Sequence, residues 1–252
     1  MTVEETIDKL MQLKLPHMAS ALRAELDRAG GRALSVEECV GLMVDREWTE
    51  RENRRVGRRV KDAKLGMQAC LEDLWCDPAR GLDKGVMRSL GTCGWVRGKQ
   101  NVIIIGMTGT GKSYVGAALA EAACRRGHRA LRVRVPRLLG ELAIAHADGS
   151  YSALLGRLAK LDVLVLDDLL IAPMKDTERR DLLEVLEDRY DQRSTVVTSQ
   201  VPTKSWHEML ADPTVADAIC DRLVHNAHVL SLKGPSVRKK KGLGEKSTED
   251  KG

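Results

Sequence analysis

Phenylalanine is missing from this sequence, and aromatic residues make up only 3% of its 252 positions. The core must therefore be assembled from Leu, Ile, Val, Ala and Met. Paired cysteines are missing too. Cys39, Cys70, Cys76, Cys93, Cys124 and Cys220 form no C-x-x-C unit, and none stands at zinc-finger spacing from a histidine. That pattern excludes a zinc ribbon or a disulfide scaffold and fits reduced thiols in the cytoplasm. No uncharged apolar run approaches the length of a membrane span. The opening MTVEETIDKLMQ carries acids early and lacks the apolar centre of a signal peptide. A cytoplasmic protein with no membrane partner is expected. Charge is abundant and nearly balanced, 41 basic against 36 acidic residues for a net +5, so its distribution matters more than its sum.

Against this background one stretch dominates. The apolar run Val102-Ile103-Ile104-Ile105 reads as a buried strand. Gly106-Met107-Thr108-Gly109-Thr110-Gly111-Lys112-Ser113 follows at once and fits G-x-x-x-x-G-K-[ST], the phosphate-binding P-loop or Walker A motif. Its glycines let successive N–H groups turn toward an anion. Lys112 brings a positive charge to the outer phosphates, Ser113 offers a hard oxygen to Mg²⁺, and the following helix, with Tyr114 in its first turn, aims its positive end at the same place. Gly106 to Tyr114 are thus the expected ATP-binding residues. From Asn101 onward strands and helices alternate, which predicts a parallel α/β sheet. Strands are expected at Ala130–Val135, Leu161–Asp168, Ser194–Gln200 and His228–Leu232. The third expected strand ends in Asp167-Asp168, a Walker B pattern. Asp167 is the expected second ligand of Mg²⁺ beside Ser113, and Asp168 the candidate to orient or deprotonate the attacking water. Thr198, Ser199 and Gln200 end another strand at the sheet edge where ligands bind. Asp176 and Asp212 are expected helix caps, with Pro136 and Pro213 at first helical positions.

The regions outside this core read differently. Residues 1–65 carry helix signals only and are expected to be a small helical domain. Its third helix opens at the capping box Ser35-Val36-Glu37-Glu38 and becomes basic: Arg51, Arg54, Arg55, Arg58 and Arg59, with no acid between Asn53 and Val60. Such a run can pair with phosphates along a DNA duplex, or can be a solvated helix laced with ion pairs. Residues 66–100 are expected to be a connecting region, with Trp75 and Trp95 as packing anchors. Residues 101–234 would be the nucleotide-binding domain, and 235–252 a disordered basic tail.

With these pieces in place, the chain resembles the IstB-type ATPase that assists a transposase, a relative of DnaC-type helicase loaders in the AAA+ group. The resemblance runs to about Arg238. It is carried by Leu13-Lys14-Leu15-Pro16-His17-Met18-Ala19, Arg80-Gly81-Leu82-Asp83, Ala147-Asp148-Gly149-Ser150-Tyr151, Arg179 to Glu184, Thr198-Ser199-Gln200, Trp206-His207-Glu208 and Asp221 to His228, together with the Walker motifs. It implies a P-loop AAA+ fold, ATP and Mg²⁺ as cofactors, and homo-oligomers with ATP at subunit interfaces. It also implies Gln200 as the sensor-1 residue, Arg222 as an arginine finger acting on a neighbour's ATP, and double-stranded DNA and a cognate transposase as partners. Two departures stand out: Met107 where the family often has Pro, and Leu169-Leu170 in place of Trp-Gly. No helical lid is recognisable, and Arg238 is a weak sensor-2 candidate. The same-fold alternative is a helicase loader. A small-molecule kinase and a non-hydrolysing nucleotide-binding adaptor are the alternatives from other classes.

Overall fold

The computed structural model describes residues 2–28 and 34–236. The Gly30-Gly31 break, the tail and Arg238 lie outside the described residues. The chain divides into two compact units between Arg58 and Arg59.

The first unit is helical. Helix α1 (Val3–Gln12) starts at a reciprocal cap in which Thr2 and Glu5 bond each other's backbone N–H. Helix α2 (Pro16–Leu26) has proline at its first position. Helix α3 (Val36–Asp62) opens at Ser35, whose hydroxyl accepts from Glu38 N while Glu38 accepts from Ser35 N. The α2 terminus is held from a distance. The buried Glu47 carboxylate accepts the N–H groups of His17 (2.8 Å) and Met18 (3.1 Å). An acid is favoured there by the orphan donors and the positive end of the helix. Few apolar side chains are buried in this unit, Ile7, Ala19 and Ala21 among them.

The second unit is a three-layer α/β structure. After a single 3₁₀ turn at Pro78–Arg80 come α4 (Lys84–Gly91), α5 (Gly94–Arg97), β1 (Asn101–Gly106), α6 (Lys112–Arg125), β2 (Ala130–Arg134), α7 (Val135–Asp148) and α8 (Tyr151–Ala159). They are followed by β3 (Val163–Leu169), α9 (Asp176–Glu187), β4 (Ser194–Ser199), α10 (Trp206–Leu210), α11 (Pro213–Val224) and β5 (Ala227–Leu232). The sheet is parallel throughout, in the order β2-β3-β4-β1-β5. Helices cover both faces, so alternate residues of β1 are buried on opposite sides: Val102 and Ile104 against α6, Ile103 against α7, α9 and α11. That is why the strand reads as an unbroken apolar run.

Residues 66–100 pack into the α6 side of the core through Leu82, Met87, Leu90 and Trp95, whose indole N–H donates to Leu90 O (2.9 Å). Trp75 is exposed and lies under the Arg80 guanidinium instead. Gly81, at φ +75°, backs directly onto the carbonyl of Ser231, which would lie 1.9 Å from a Cβ there. Helix α9 begins at Asp176, but its cap is the preceding Lys175, whose N–H donates to Glu178 (2.7 Å), while Asp176 pairs with Arg179. Asp212 does cap α11, accepting from Val215 N at 3.1 Å.

Candidate functional site

The carboxyl edge of the sheet gathers the chemistry. Strand β1 ends at Gly106, and the chain turns through Gly109 (φ +86°) and Gly111 (φ +100°) before entering α6. These left-handed angles favour glycine, and they leave the first-turn N–H groups of α6 facing out of the turn with no intrahelical acceptor. Lys112 is buried, and its ammonium donates to Met107 O (3.0 Å) across the mouth of the loop. Thr110 closes the turn by donating to the same carbonyl (2.8 Å). Met107 itself is exposed, and the Tyr114 side chain turns away toward Cys70 O (3.5 Å).

The loop is braced by groups that motif reading overlooked. Arg80 is buried and donates to Thr110 O (3.0 Å) and Trp75 O (3.1 Å). Its own carbonyl accepts from Lys233 N (2.9 Å). Beyond β5 the chain runs back over the loop, so that a Cβ added to Gly109 would meet the Ser236 side chain at 2.2 Å. The only sequence signal for Arg80 was its place in the Arg80-Gly81-Leu82-Asp83 run. Ser236 carried none, because the approach joins positions more than a hundred residues apart.

The acidic strand end lies on the neighbouring part of the same edge. Asp167 is 1% exposed, accepts from the Thr198 hydroxyl and pairs with Arg132 of β2. Asp168 takes φ +62°, donates its N–H to Thr198 Oγ1 (3.0 Å) and pairs with Arg134 (2.8 Å). The pairing register of β3 with β4 shifts between Leu166 and Leu169, so the two carboxylates leave the strand in different directions. Gln200 reaches the phosphate loop: its side-chain oxygen accepts from Thr108 Oγ1 at 2.8 Å. Ser199 bonds Leu169 O (2.8 Å), tying the ends of β3 and β4 together.

Arg222 lies elsewhere. The amide of Asn101, the first residue of β1, donates to Arg222 O (2.9 Å), so Arg222 stands at the amino edge of the sheet. Five residue steps of about 3.3 Å separate that edge from the glycine turn along β1, roughly 17 Å. There Arg222 pairs with Glu187 and lies 5.9 Å from the Tyr190 ring centre. It is not brought to this chain's own phosphate loop.

The basic residues of α3 belong to the first unit as far as Arg58. Arg51 donates to Glu47 and Lys14 O, and Arg54 contacts the His17 ring (2.6 Å), so both build the α2–α3 contact. Arg55 pairs with Glu52 at 3.3 Å. Arg58 is exposed, whereas Arg59 is half-buried.

The donor set suits a nucleotide with a divalent cation. Among the described residues no cluster of three or more His, Cys, Asp or Glu is placed to hold a metal. Of the two expected ligands, Asp167 is a buried carboxylate and Ser113 a half-buried hydroxyl in the first turn of α6. Mg²⁺ takes such a sparse set when phosphate oxygens and waters complete its shell. A glycine turn at a helix N-terminus suits the phosphates.

Residues 8–244 match the family model described as IstB-like ATP binding protein. A protein of Sinorhizobium fredii, named as an ATP-binding protein of an insertion sequence, is 43% identical over 239 residues, 95% of this chain and 98% of its own length. A similarly named protein of a Pseudomonas fluorescens insertion sequence is 43% identical over 206 residues, 81% of this chain and 89% of its own. Among solved structures, the DnaC helicase loader superposes with a TM-score of 0.56 at 18% identity, covering 68% of this chain and all of that one. This last likeness concerns the fold, a parallel sheet with helices on both faces. No helix among the described residues is long and apolar enough to cross a membrane.

Proposed function

Because the chain belongs to the IstB-like ATP-binding protein family, we propose that it is an Mg²⁺-dependent ATPase that oligomerises on duplex DNA and serves a transposase. The observation that carries this reading is the Thr108–Gln200 hydrogen bond at the sheet edge, which links the phosphate loop to a polar strand end beside Asp167 and Asp168. Bound ATP is held by Lys112, by the backbone from Gly106 to Tyr114 and by the positive end of α6. Ser113 and Asp167 would hold Mg²⁺, which would supply charge stabilisation at the phosphates. Asp168 and Gln200 orient a water in line with the γ-phosphorus. The bond to the β–γ bridging oxygen breaks as the water oxygen bonds to phosphorus; one water proton passes to solvent by way of Asp168 and the other stays on the released hydrogen phosphate.

Arg222 points to the need for a second subunit. Held at the far edge, it serves as a finger only for a neighbour's nucleotide, and a finger in trans is worth about 10³-fold or more in rate. The N-terminal helical unit is assigned to DNA contact through Arg55 and Arg58, with Arg51 and Arg54 supporting that surface. The names of the full-length relatives favour transposition over helicase loading.

The test is the ATPase rate per subunit against protein concentration, with and without duplex DNA, for the wild type and Arg222→Ala. The proposal expects a rate that rises with both, and a variant that binds ATP without turning it over. A rate independent of concentration, with Arg222→Ala fully active, would refute trans completion. Stimulation by a replicative helicase but not by a transposase would shift the partner to helicase loading.

A further inference from the structure

Strand β2 brings two cations to the acidic pair. Arg132 and Arg134 alternate with Leu131 and Val133, which pack on the other face of the sheet. In register, Arg132 stands opposite Val165 and Arg134 opposite Asp167. The Arg132 side chain is 14% exposed against 1% for Asp167. One terminal nitrogen donates to Asp167 and the other to Leu65 O at 2.8 Å. Its Nε is buried and has no acceptor. The Arg134–Asp168 pair differs, its arginine side chain being 59% exposed.

A buried carboxylate without a cation is costly. The carboxylate oxygen that Arg132 takes belongs to the group that would ligate Mg²⁺, so guanidinium and metal compete for one acid. A bound triphosphate changes that balance, since its oxygens complete the shell of the cation, which can then replace the guanidinium at Asp167. We propose that Arg132 is a positioning residue that holds Asp167 until nucleotide arrives, so that the chain takes up Mg²⁺ with the triphosphate and not before it. The proposal rests on the nucleotide-binding reading above. Arg134, on a solvated pair, contributes little.

The test uses the full chain and needs no turnover. Melting temperature is followed in MgCl₂ alone, and the affinity for a fluorescent non-hydrolysable ATP analogue is measured in EDTA and in Mg²⁺. For the wild type, Mg²⁺ alone should leave the melting temperature unchanged, while the analogue binds much more tightly with Mg²⁺. In Arg132→Met, Mg²⁺ alone should raise the melting temperature, and the Mg²⁺-dependent gain in analogue affinity should shrink by about tenfold. Arg134→Met should behave as wild type. Should Arg132→Met fail to fold, Arg132→Lys, which keeps the charge and loses the fork, should shift both readouts in the same direction by less. Magnesium titrations that superimpose on the wild type would overturn the proposal. So would equal loss of analogue binding in EDTA and Mg²⁺, which would make Arg132 a phosphate ligand. A wild type that binds no analogue in either medium would instead refute the nucleotide-binding reading.

Discussion

Gly81→Ala offers a sharp test of how the second unit is built. At φ +75°, the left-handed angle costs an L-residue about 1–2 kcal/mol. The new methyl would also lie 1.9 Å from the Ser231 carbonyl oxygen, a backbone atom of β5 that cannot swing aside. Relief requires β5 or the Arg80 turn to move, an overpacking cost of about 1–3 kcal/mol. Together these give roughly 2–5 kcal/mol, or a fall in melting temperature of about 4–20 °C for a unit of this size. The same chemical change at Gly140 has the opposite prospect. Gly140 lies within α7, is exposed, and has nothing within 4 Å of an added Cβ. Alanine there should stabilise by about 0.5–1 kcal/mol. Thermal unfolding of both variants, with analogue binding measured on Gly81→Ala, decides the matter. The Arg80 carbonyl and the Thr110 carbonyl are both tied into this turn, so affinity should fall along with stability. A Gly81→Ala protein melting within a degree of wild type would refute the packing account.

Lys112→Ala should abolish binding of the ATP analogue while leaving melting without ligand nearly unchanged. Removing the Glu47 carboxylate should loosen the α2 terminus by about 1–2 kcal/mol, the range for a missing helix cap, seen as faster amide exchange at His17 and Met18. Neutralising Arg55 and Arg58 should weaken duplex binding and lower its salt slope by about one for each phosphate left without its cation. An unchanged slope would return α3 to a solvated helix face. Burial pushes the Cys124 thiol up from 9.0 to about 11. Between those values the unfolded chain releases a proton that the folded chain keeps, so stability should fall as pH rises across that window. Cys124→Ala should flatten the fall, measured as urea midpoints at pH 8 and 10.

Much of the second unit was legible because its signals are local. A doubly buried strand announces itself as a run such as Val102–Ile105, and the glycine turn that follows is dictated by backbone angle. Asp212-Pro213 contains both the cap and the first turn of α11. What escaped depends on contacts distant in sequence. Glu47 caps a helix about thirty residues away, and Ser236 meets a loop formed more than a hundred residues earlier. Residues 66–100 looked like a connector because Gly and Pro interrupt their periodicity, yet Leu82, Met87, Leu90 and Trp95 fill the α6 side of the core. Arg132 and Arg134 were invisible as a pair until the sheet order put β2 beside β3. The Asp176 cap was misplaced by one position: the helix is entered at Lys175, whose N–H donates to Glu178, and Asp176 already lies in the first turn.

The Asn101–Arg222 contact fixes Arg222 and the phosphate loop at opposite edges of one sheet. Units joined edge to edge in this way face a common direction, and such an array does not close by twofold pairing. If Arg222 completes a neighbour's pocket as proposed, the terminal unit at one end of an open array would have a pocket without its arginine, and the one at the other end an arginine without a pocket to complete. Turnover would then scale with the number of junctions rather than the number of chains, and the array's two ends would be chemically distinguishable to whatever meets them.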